Sequence, residues 1–163
     1  MVFQASPPES RFFQLYMVES GDGGRSWSEP ERITGFRESQ INQDEDPNNY
    51  DNQRPHLRAA NGAFHLTWER RYAGTTPPQI YYLEIDGEGE PMGDPERITT
   101  GSNNCRNPKT VRINGRLYVF WFDDRKGDNR IFIAYREGIA WQDQAARTMP
   151  GRRSFAQPLN YRG

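Results

Sequence analysis

The chain has 163 residues, of which 34% are hydrophobic, 13% aromatic and 26% charged, and its formal net charge is -1. Its mean hydropathy is -1.01. No stretch approaches the ~18 consecutive apolar residues of a membrane span. The near-neutral charge gives no electrostatic reason to expect nucleic acid as a partner. The 15 glycines and 12 prolines punctuate short apolar runs, and 9 phenylalanines, 8 tyrosines and 4 tryptophans argue against disorder. The composition favours an all-β fold.

The predicted strands are short and lie between turns rich in Gly, Asn and Asp. In chain order they cover residues 15–20, 32–34, 55–60, 64–68, 80–85, 97–99, 111–113, 117–122 and 130–135. The dipeptides Asn61-Gly62 and Asn114-Gly115 between two pairs of these strands are strong hairpin signals. No window shows the sustained apolar spacing of an amphipathic helix.

Two internal repeats relate these strands to each other. Residues 30–34 recur letter for letter as residues 95–99, an offset of 65. A second offset, 53, lays residues 55–68 on residues 108–121, including the Asn-Gly turn and a closing tryptophan. Four short antiparallel strands that recur about every 40–50 residues indicate the blades of a β-propeller.

Residues 20–27 fit the pattern Ser-x-Asp-x-Gly-x-x-Trp. The pattern predicts a turn between a third and a fourth strand in which Ser20 and Asp22 satisfy turn amides. Gly24 tolerates a positive φ there, and Trp27 packs beneath the blade. The segment resembles the Asp box of bacterial neuraminidase (BNR) repeats, and that resemblance gives the four residues a structural role on the outer rim.

The resemblance to sialidase-like propellers extends from residue 12 to residue 141. Residues 80–82 and 121–132 are similar to the hairpin that precedes the box. Two degenerate boxes follow, because residues 86–89 lack the tryptophan and residues 137–141 lack the serine and the aspartate.

The resemblance divides the chain into a half blade at residues 1–34 and two blades at residues 52–99 and 105–160. A sialidase-like ring closes with about six blades, so we expect a piece of a larger propeller completed by missing blades or by self-association. We expect the isolated chain to be inactive, and its parent to be secreted or at the cell surface, although residues 1–8 lack the features of a signal peptide.

The resemblance implies that the parent handles glycans, by hydrolysis or by binding. A sialidase-type enzyme would grip the carboxylate of a sialoside with arginines, because guanidinium forks match that group. It would also use an aspartate as acid and base. The candidates are Arg54 and Arg106, each just before the first strand of a blade, and Asp123 after a second strand. No cofactor is expected.

Two other interpretations stay open. One is a non-catalytic Asp-box propeller that serves as a protein- or surface-interaction module. The other is a furanosidase-type glycosidase, because Arg106-Asn107-Pro108 resembles the Arg-Asp-Pro element of those enzymes, with Asn107 in place of its aspartate. The oxygen-rich residues 42–52 favour a solvated connection between blades, with a calcium loop as the alternative. No other metal site is expected.

Overall fold

The computed structural model describes residues 1–36, 46–137 and 140–145. These residues form three antiparallel sheets and one 3-10 turn, Pro47–Asn49, and they contain no α-helix. The all-β prediction is therefore confirmed. None of the described residues belongs to a helix long and apolar enough to cross a bilayer.

Sheet A has three strands, one more than the sequence predicted. It consists, in spatial order, of β1 (Val2–Ala5), β2 (Gln14–Met17) and β3 (Glu31–Arg32). The unpredicted strand is β1, which pairs with β2 from Val2↔Met17 to Ala5↔Gln14. Four residues are too few to show a period of two, so this strand leaves little trace in the sequence.

Sheet B has four strands in sequential spatial order. They are β4 (Tyr50–Ala60), β5 (Ala63–Tyr72), β6 (Gln79–Ile85) and β7 (Glu96–Arg97). The first hairpin turns at Asn61 and Gly62, whose φ angles are 52° and 77°. Two successive positive φ angles match the right-handed twist of the flanking strands, which explains the Asn-Gly sequence.

Sheet C repeats this arrangement. Its strands are β8 (Cys105–Ile113), β9 (Arg116–Asp123), β10 (Arg130–Glu137) and β11 (Ala140–Ala145). Glu137 pairs directly with Ala140, so Trp141 lies in a strand where the sequence predicted a degenerate box. Residues 146–160 of the predicted blade lie outside the described residues.

The candidate calcium loop, residues 42–52, is only partly described. Residues 42–45 lie outside the described part, and Asp46 caps the 3-10 turn by accepting the amide of Asn48 at 2.9 Å. Within the described ranges, no group of three or more His, Cys, Asp or Glu side chains is placed to hold a metal ion.

The core lies in two layers, on the two faces of sheet B. Tyr81, Leu83 and Ile85 of β6 face sheet A, whereas Ile80 and Tyr82 face sheet C. Burial of each such side chain contributes roughly 1.5–3 kcal/mol. Because β6 is covered on both faces, it reads as a nearly continuous apolar run rather than as an alternating strand.

Hydrogen bonds of one side-chain amide join sheet A to sheet B. Gln14 Nε2 donates to the carbonyl oxygen of Tyr50 at 2.8 Å, and Gln14 Oε1 accepts the hydroxyl of Thr34 at 2.9 Å. The amide of Asn52 donates to the carbonyl of Phe13 at 2.8 Å. These groups lie at the start of β2 and β4 and just after β3, where the two sheets meet.

Equivalent hydrogen bonds, made by the repeated residues, join sheet B to sheet C. Gln79 Nε2 donates to Asn103 O at 2.8 Å, Gln79 Oε1 accepts the Thr99 hydroxyl at 2.8 Å, and Cys105 N donates to Pro78 O at 2.8 Å. In the two junctions, equivalent residues of the first sheet of each pair, such as Gln14 and Gln79, lie 65 positions apart. Equivalent residues of the second sheet, such as Asn52 and Cys105, lie 53 positions apart. Sheet B is therefore placed against sheet A as sheet C is placed against sheet B.

Candidate functional site

The first strands of sheets B and C, β4 and β8, carry a bulge at the same place in the repeat. Their registers shift between Gln53 and His56 and between Arg106 and Lys109. Inside the bulges, Arg54 has a φ of 52° and Asn107 a φ of 56°. Asparagine tolerates this left-handed conformation, whereas arginine adopts it at a cost in free energy.

A side chain from the preceding sheet holds each bulge. The amide of Arg54 donates to Gln4 Oε1 at 2.7 Å, and the amide of Asn107 donates to Glu69 Oε1. Gln4 and Glu69 are 65 positions apart, like the glutamines of the two sheet junctions. The bulges are thus fixed by the packing of one sheet on the next, which supports the unusual backbone of Arg54.

Glu69 is the buried carboxylate of this site, with 4% of its surface exposed. Its Oε2 atom accepts a hydrogen bond from Arg54 Nη1 at 2.6 Å. Burial raises the pKa of Glu69, and the amide of Asn107 and the charge of Arg54 oppose that rise. Both carboxylate oxygens are therefore engaged within the protein.

A second ion pair lies beside the first. Asp51 Oδ2 accepts hydrogen bonds from Arg71 Nε at 3.0 Å, Arg71 Nη2 at 2.9 Å and Gln53 Nε2 at 2.7 Å. Asp51 is buried and Arg71 is half-buried, so the pair is partly shielded from solvent. The fork geometry orients the guanidinium of Arg71 at the end of β5.

Together these side chains line a small polar cavity of about 70 Å³, called here the bulge pocket. Its lining consists of Asp51, Gln53, Arg54, Glu69, Arg71, Pro78 and Arg106. Arg106 is exposed, and its closest polar contact is Asn104 Oδ1 at 3.5 Å. The lining has three arginines against two carboxylates, so the pocket carries a net positive charge. Its volume holds about two water molecules at roughly 30 Å³ each, or one carboxylate.

The structure brings Arg54 and Arg106 to the bulge pocket but places Asp123 elsewhere. Asp123 is fully buried at the end of β9 and accepts hydrogen bonds from Trp121 Nε1 at 3.1 Å and Asn103 Nδ2 at 2.7 Å. Arg125 donates to it three times, from its amide, Nε and Nη2, at 2.8, 2.8 and 2.6 Å.

Burial opposes the ionisation of Asp123, but its pKa is nevertheless lowered. The hydrogen bonds from Arg125 and Trp121 outweigh the cost of burial. The carboxylate is thus held as an anion by six hydrogen bonds at the end of β9, the sixth from Cys105 Sγ at 3.4 Å.

Residues 20–27, which resemble an Asp box, form the turn after β2. Asp22 Oδ1 accepts the amides of Arg25 and Ser26, each at 2.9 Å, and the hydroxyl of Ser20 at 2.8 Å. The amide of Gly24, whose φ is 89°, donates to Ser20 Oγ at 2.7 Å. The hydrogen bonds that Asp22 accepts lower the pKa of its carboxyl group, and the bond from the Ser26 amide has the largest effect.

The last residue of the box departs from the prediction. Trp27 is 49% exposed, whereas the sequence predicted that it packs beneath the blade. One edge of its indole faces Gly24, where an added Cβ would lie 3.6 Å from Cζ2. The ring therefore covers the glycine of its own turn and leaves the rest of its surface open.

Glu69 and Arg71 of the bulge pocket were not predicted from the sequence, whereas Asp51 belongs to the candidate calcium loop, residues 42–52. A signal was present, because Trp68 is followed by the charged run 69–71 inside a strand. Arg70 of this run is buried, and its guanidinium lies 3.9 Å from the ring centre of Phe36 and 3.7 Å from that of Tyr50. A charged run that ends a buried strand indicates paired charges rather than a solvated face.

No protein-family model matches the chain, and no curated protein matches it.

Proposed function

We propose that the three sheets are successive blades of an Asp-box β-propeller related to the sialidases, and that the bulge pocket binds the acidic group of a glycan. The observation that carries the binding role is the pocket of three arginines and two carboxylates at the bulges of the inner strands. Further blades, or self-association, would complete the ring.

The repeated sheet junction supports the propeller. One set of hydrogen bonds relates sheet A to sheet B and sheet B to sheet C, as expected when copies of one unit follow each other around an axis. Each sheet keeps its strands in chain order. The turn after β2 has the hydrogen bonds that an Asp box requires.

The charge and size of the bulge pocket support an acidic ligand group. Arg54 and Arg71 are each paired with a carboxylate, whereas Arg106 has no ion pair among the described residues. An arginine fork matches a carboxylate in shape and charge. Because the pocket holds only about 70 Å³, it would take the carboxylate of a sialoside or uronate while the sugar ring stays outside.

Binding fits this geometry better than hydrolysis. A general acid needs a proton within reach of the leaving oxygen, but Asn107 and Arg54 engage the two oxygens of Glu69. Asp123 is buried among its own donors. We therefore propose a glycan-binding role for this part of the propeller.

Ligand-observed NMR on the full chain tests the proposal. Sialyllactose and a glucuronide should show saturation transfer, and lactose should not. Arg106→Ala should abolish the signal, whereas Arg130→Ala, which removes an exposed arginine paired with Asp128, should leave it unchanged. Equal signals from lactose and sialyllactose would contradict the proposal, and turnover of a fluorogenic sialoside would contradict the binding-only role.

A further inference from the structure

An apolar groove opens between sheets A and B beside the Asp box. It encloses about 500 Å³ and is lined by Met17, Leu57, Phe64 and Ile85, with the exposed indole of Trp27 at its mouth. We call it the box groove. A cavity of this size with an exposed tryptophan is typical of a surface that receives another molecule.

The corresponding place between sheets B and C is already filled. There, Trp141 of β11 packs edge-on against Tyr82, with the ring centres 5.1 Å apart. Its indole Nε1 donates to Glu96 Oε2 at 3.0 Å, and Arg136 Nη2 pairs with Glu96 Oε1 at 3.0 Å. Arg136 and Trp141 are direct cross-strand neighbours, so one hairpin delivers both groups.

Sheet A presents the same receiving surface. The offset of 65 maps Tyr82 to Met17 and Glu96 to Glu31. Tyr82 pairs with Glu96, and Met17 pairs with Glu31, so each carboxylate shares a sheet face with its partner. Glu31 is exposed, and its carboxylate forms no hydrogen bond or ion pair with another described residue.

Sheet B does not supply the two docking groups to sheet A. The alignment of residues 80–82 with residues 131–133 places Ile85 where sheet C has Arg136. Residues 86–95 then form a loop that contains no tryptophan. The box groove therefore has the receiving carboxylate but lacks the indole and the guanidinium that occupy the equivalent site.

We propose that the box groove binds a polypeptide segment of a partner protein that presents a tryptophan beside an arginine. The indole enters between Met17 and Ile85, and the guanidinium pairs with Glu31. Glu19 lines the groove and Glu31 pairs across the sheet with Met17 of the lining, so their negative charge complements the basic side chain. The arginine of such a segment also stacks on the exposed face of Trp27. This inference does not depend on glycan binding at the bulge pocket.

The test uses a cyclised synthetic peptide with the sequence of residues 130–145, which keeps the arginine and the tryptophan paired. Fluorescence anisotropy measures its binding to the full chain. Replacement of Arg136 or Trp141 by alanine in the peptide should weaken binding. In the protein, Glu31→Gln should weaken it about tenfold, as expected for one charge-assisted hydrogen bond.

Two protein variants and one further measurement complete the design. Glu29→Gln removes an exposed carboxylate two residues away and should leave the affinity unchanged, whereas Trp27→Ala should lower it. Unchanged thermal unfolding would show that each variant keeps its fold. The proposal is wrong if the folded protein fails to bind the peptide or if Glu31→Gln binds it equally well. A doubled mass in light scattering that Trp27→Ala abolishes would assign the groove to a second copy and overturn the proposal.

Discussion

Gln14 and Gln79 hold identical positions in two successive sheet junctions. Each is buried, each accepts the hydroxyl of a threonine in its own sheet, and each donates to a backbone carbonyl of the next sheet. The amide group therefore satisfies four polar groups at once, namely its own oxygen and nitrogen, the threonine hydroxyl and the backbone carbonyl. Such a side chain cannot be replaced by an apolar one without leaving polar groups unpaired.

Gln79→Leu tests the importance of this junction for stability. The substitution keeps the volume but removes the acceptor of the Thr99 hydroxyl and the amide donor to the Asn103 carbonyl. We expect the free energy of unfolding to fall by about 2–4 kcal/mol, the cost of buried groups left unsatisfied. Urea denaturation measures the change. Gln142→Leu, on the exposed surface of β11, should alter stability by less than ~0.5 kcal/mol, and an equal loss in both variants would contradict the assignment.

The sequence predicted the repeat but not the role of its residues. The offset of 65 is visible because residues 30–34 and 95–99 are identical. Nothing in the sequence marks Gln14 or Gln79 as buried, since glutamine is usually exposed. Burial here follows from the packing of sheet on sheet, which local patterns do not encode.

The bulges explain why the candidate site was only partly predicted. Arg54 and Arg106 are predicted alike from the sequence, each just before the first strand of a blade, yet the repeat aligns Arg54 with Asn107. A bulge inserts a residue without a marker in the hydrophobic pattern, so the direction of each side chain changes unpredictably. The sequence also does not predict the ion pair of Arg54, because its partner Glu69 lies on the neighbouring strand, β5, 15 residues further along the chain.

We expect that a neutral acceptor at position 69 can hold the bulge of β8, because Gln4 already holds the bulge at Arg54 in this way. Glu69→Gln keeps an acceptor for the amide of Asn107 and avoids the cost of burying a charge. We expect its stability at pH 7 to lie within about 1 kcal/mol of the wild type. Glu69→Ala, which orphans the amide, should lose about 2–3 kcal/mol.

The pH dependence separates the two forms of residue 69. The pKa of Glu69 is raised from 4.5 in the folded state. The folded protein therefore binds a proton more readily, and the wild type gains stability as the pH falls through that raised pKa to 4.5. Glu69→Gln should lack this gain in urea titrations at successive pH values. A gain of the same size in both proteins would rule out Glu69 as its source.

Asp22→Ala should act locally, because the carboxylate lies on the surface and bonds only within its own turn. The amides of Arg25 and Ser26 lose their acceptor and should exchange with solvent faster. Hydrogen exchange followed by NMR measures this change, with the amides of β6 as the internal reference. The local role is contradicted if the amides of β6 accelerate to the same extent.

His56 should give the protein a stability that falls between pH 6.5 and 4. The half-buried ring accepts the amide of Thr110 on Nδ1 at 3.2 Å. Burial, with the charges of Lys109 and Arg58, lowers the pKa of His56 from 6.5 to about 4. Below pH 6.5 the His56 ring takes up a proton in the unfolded chain but stays neutral in the folded protein. The free energy of unfolding therefore decreases as the pH falls from 6.5 to about 4 and then becomes constant.

His56→Asn isolates this effect, because asparagine supplies an acceptor for Thr110 but does not titrate. The loss of unfolding free energy between pH 6.5 and pH 4 should be smaller in the variant. We expect the difference to be on the order of 1–2 kcal/mol once solvent screening is allowed for. His65, whose pKa is also lowered by burial, remains in both proteins and cancels in the comparison. Parallel pH profiles for the two proteins would show that Thr110 and the cations around His56 do not hold the ring neutral.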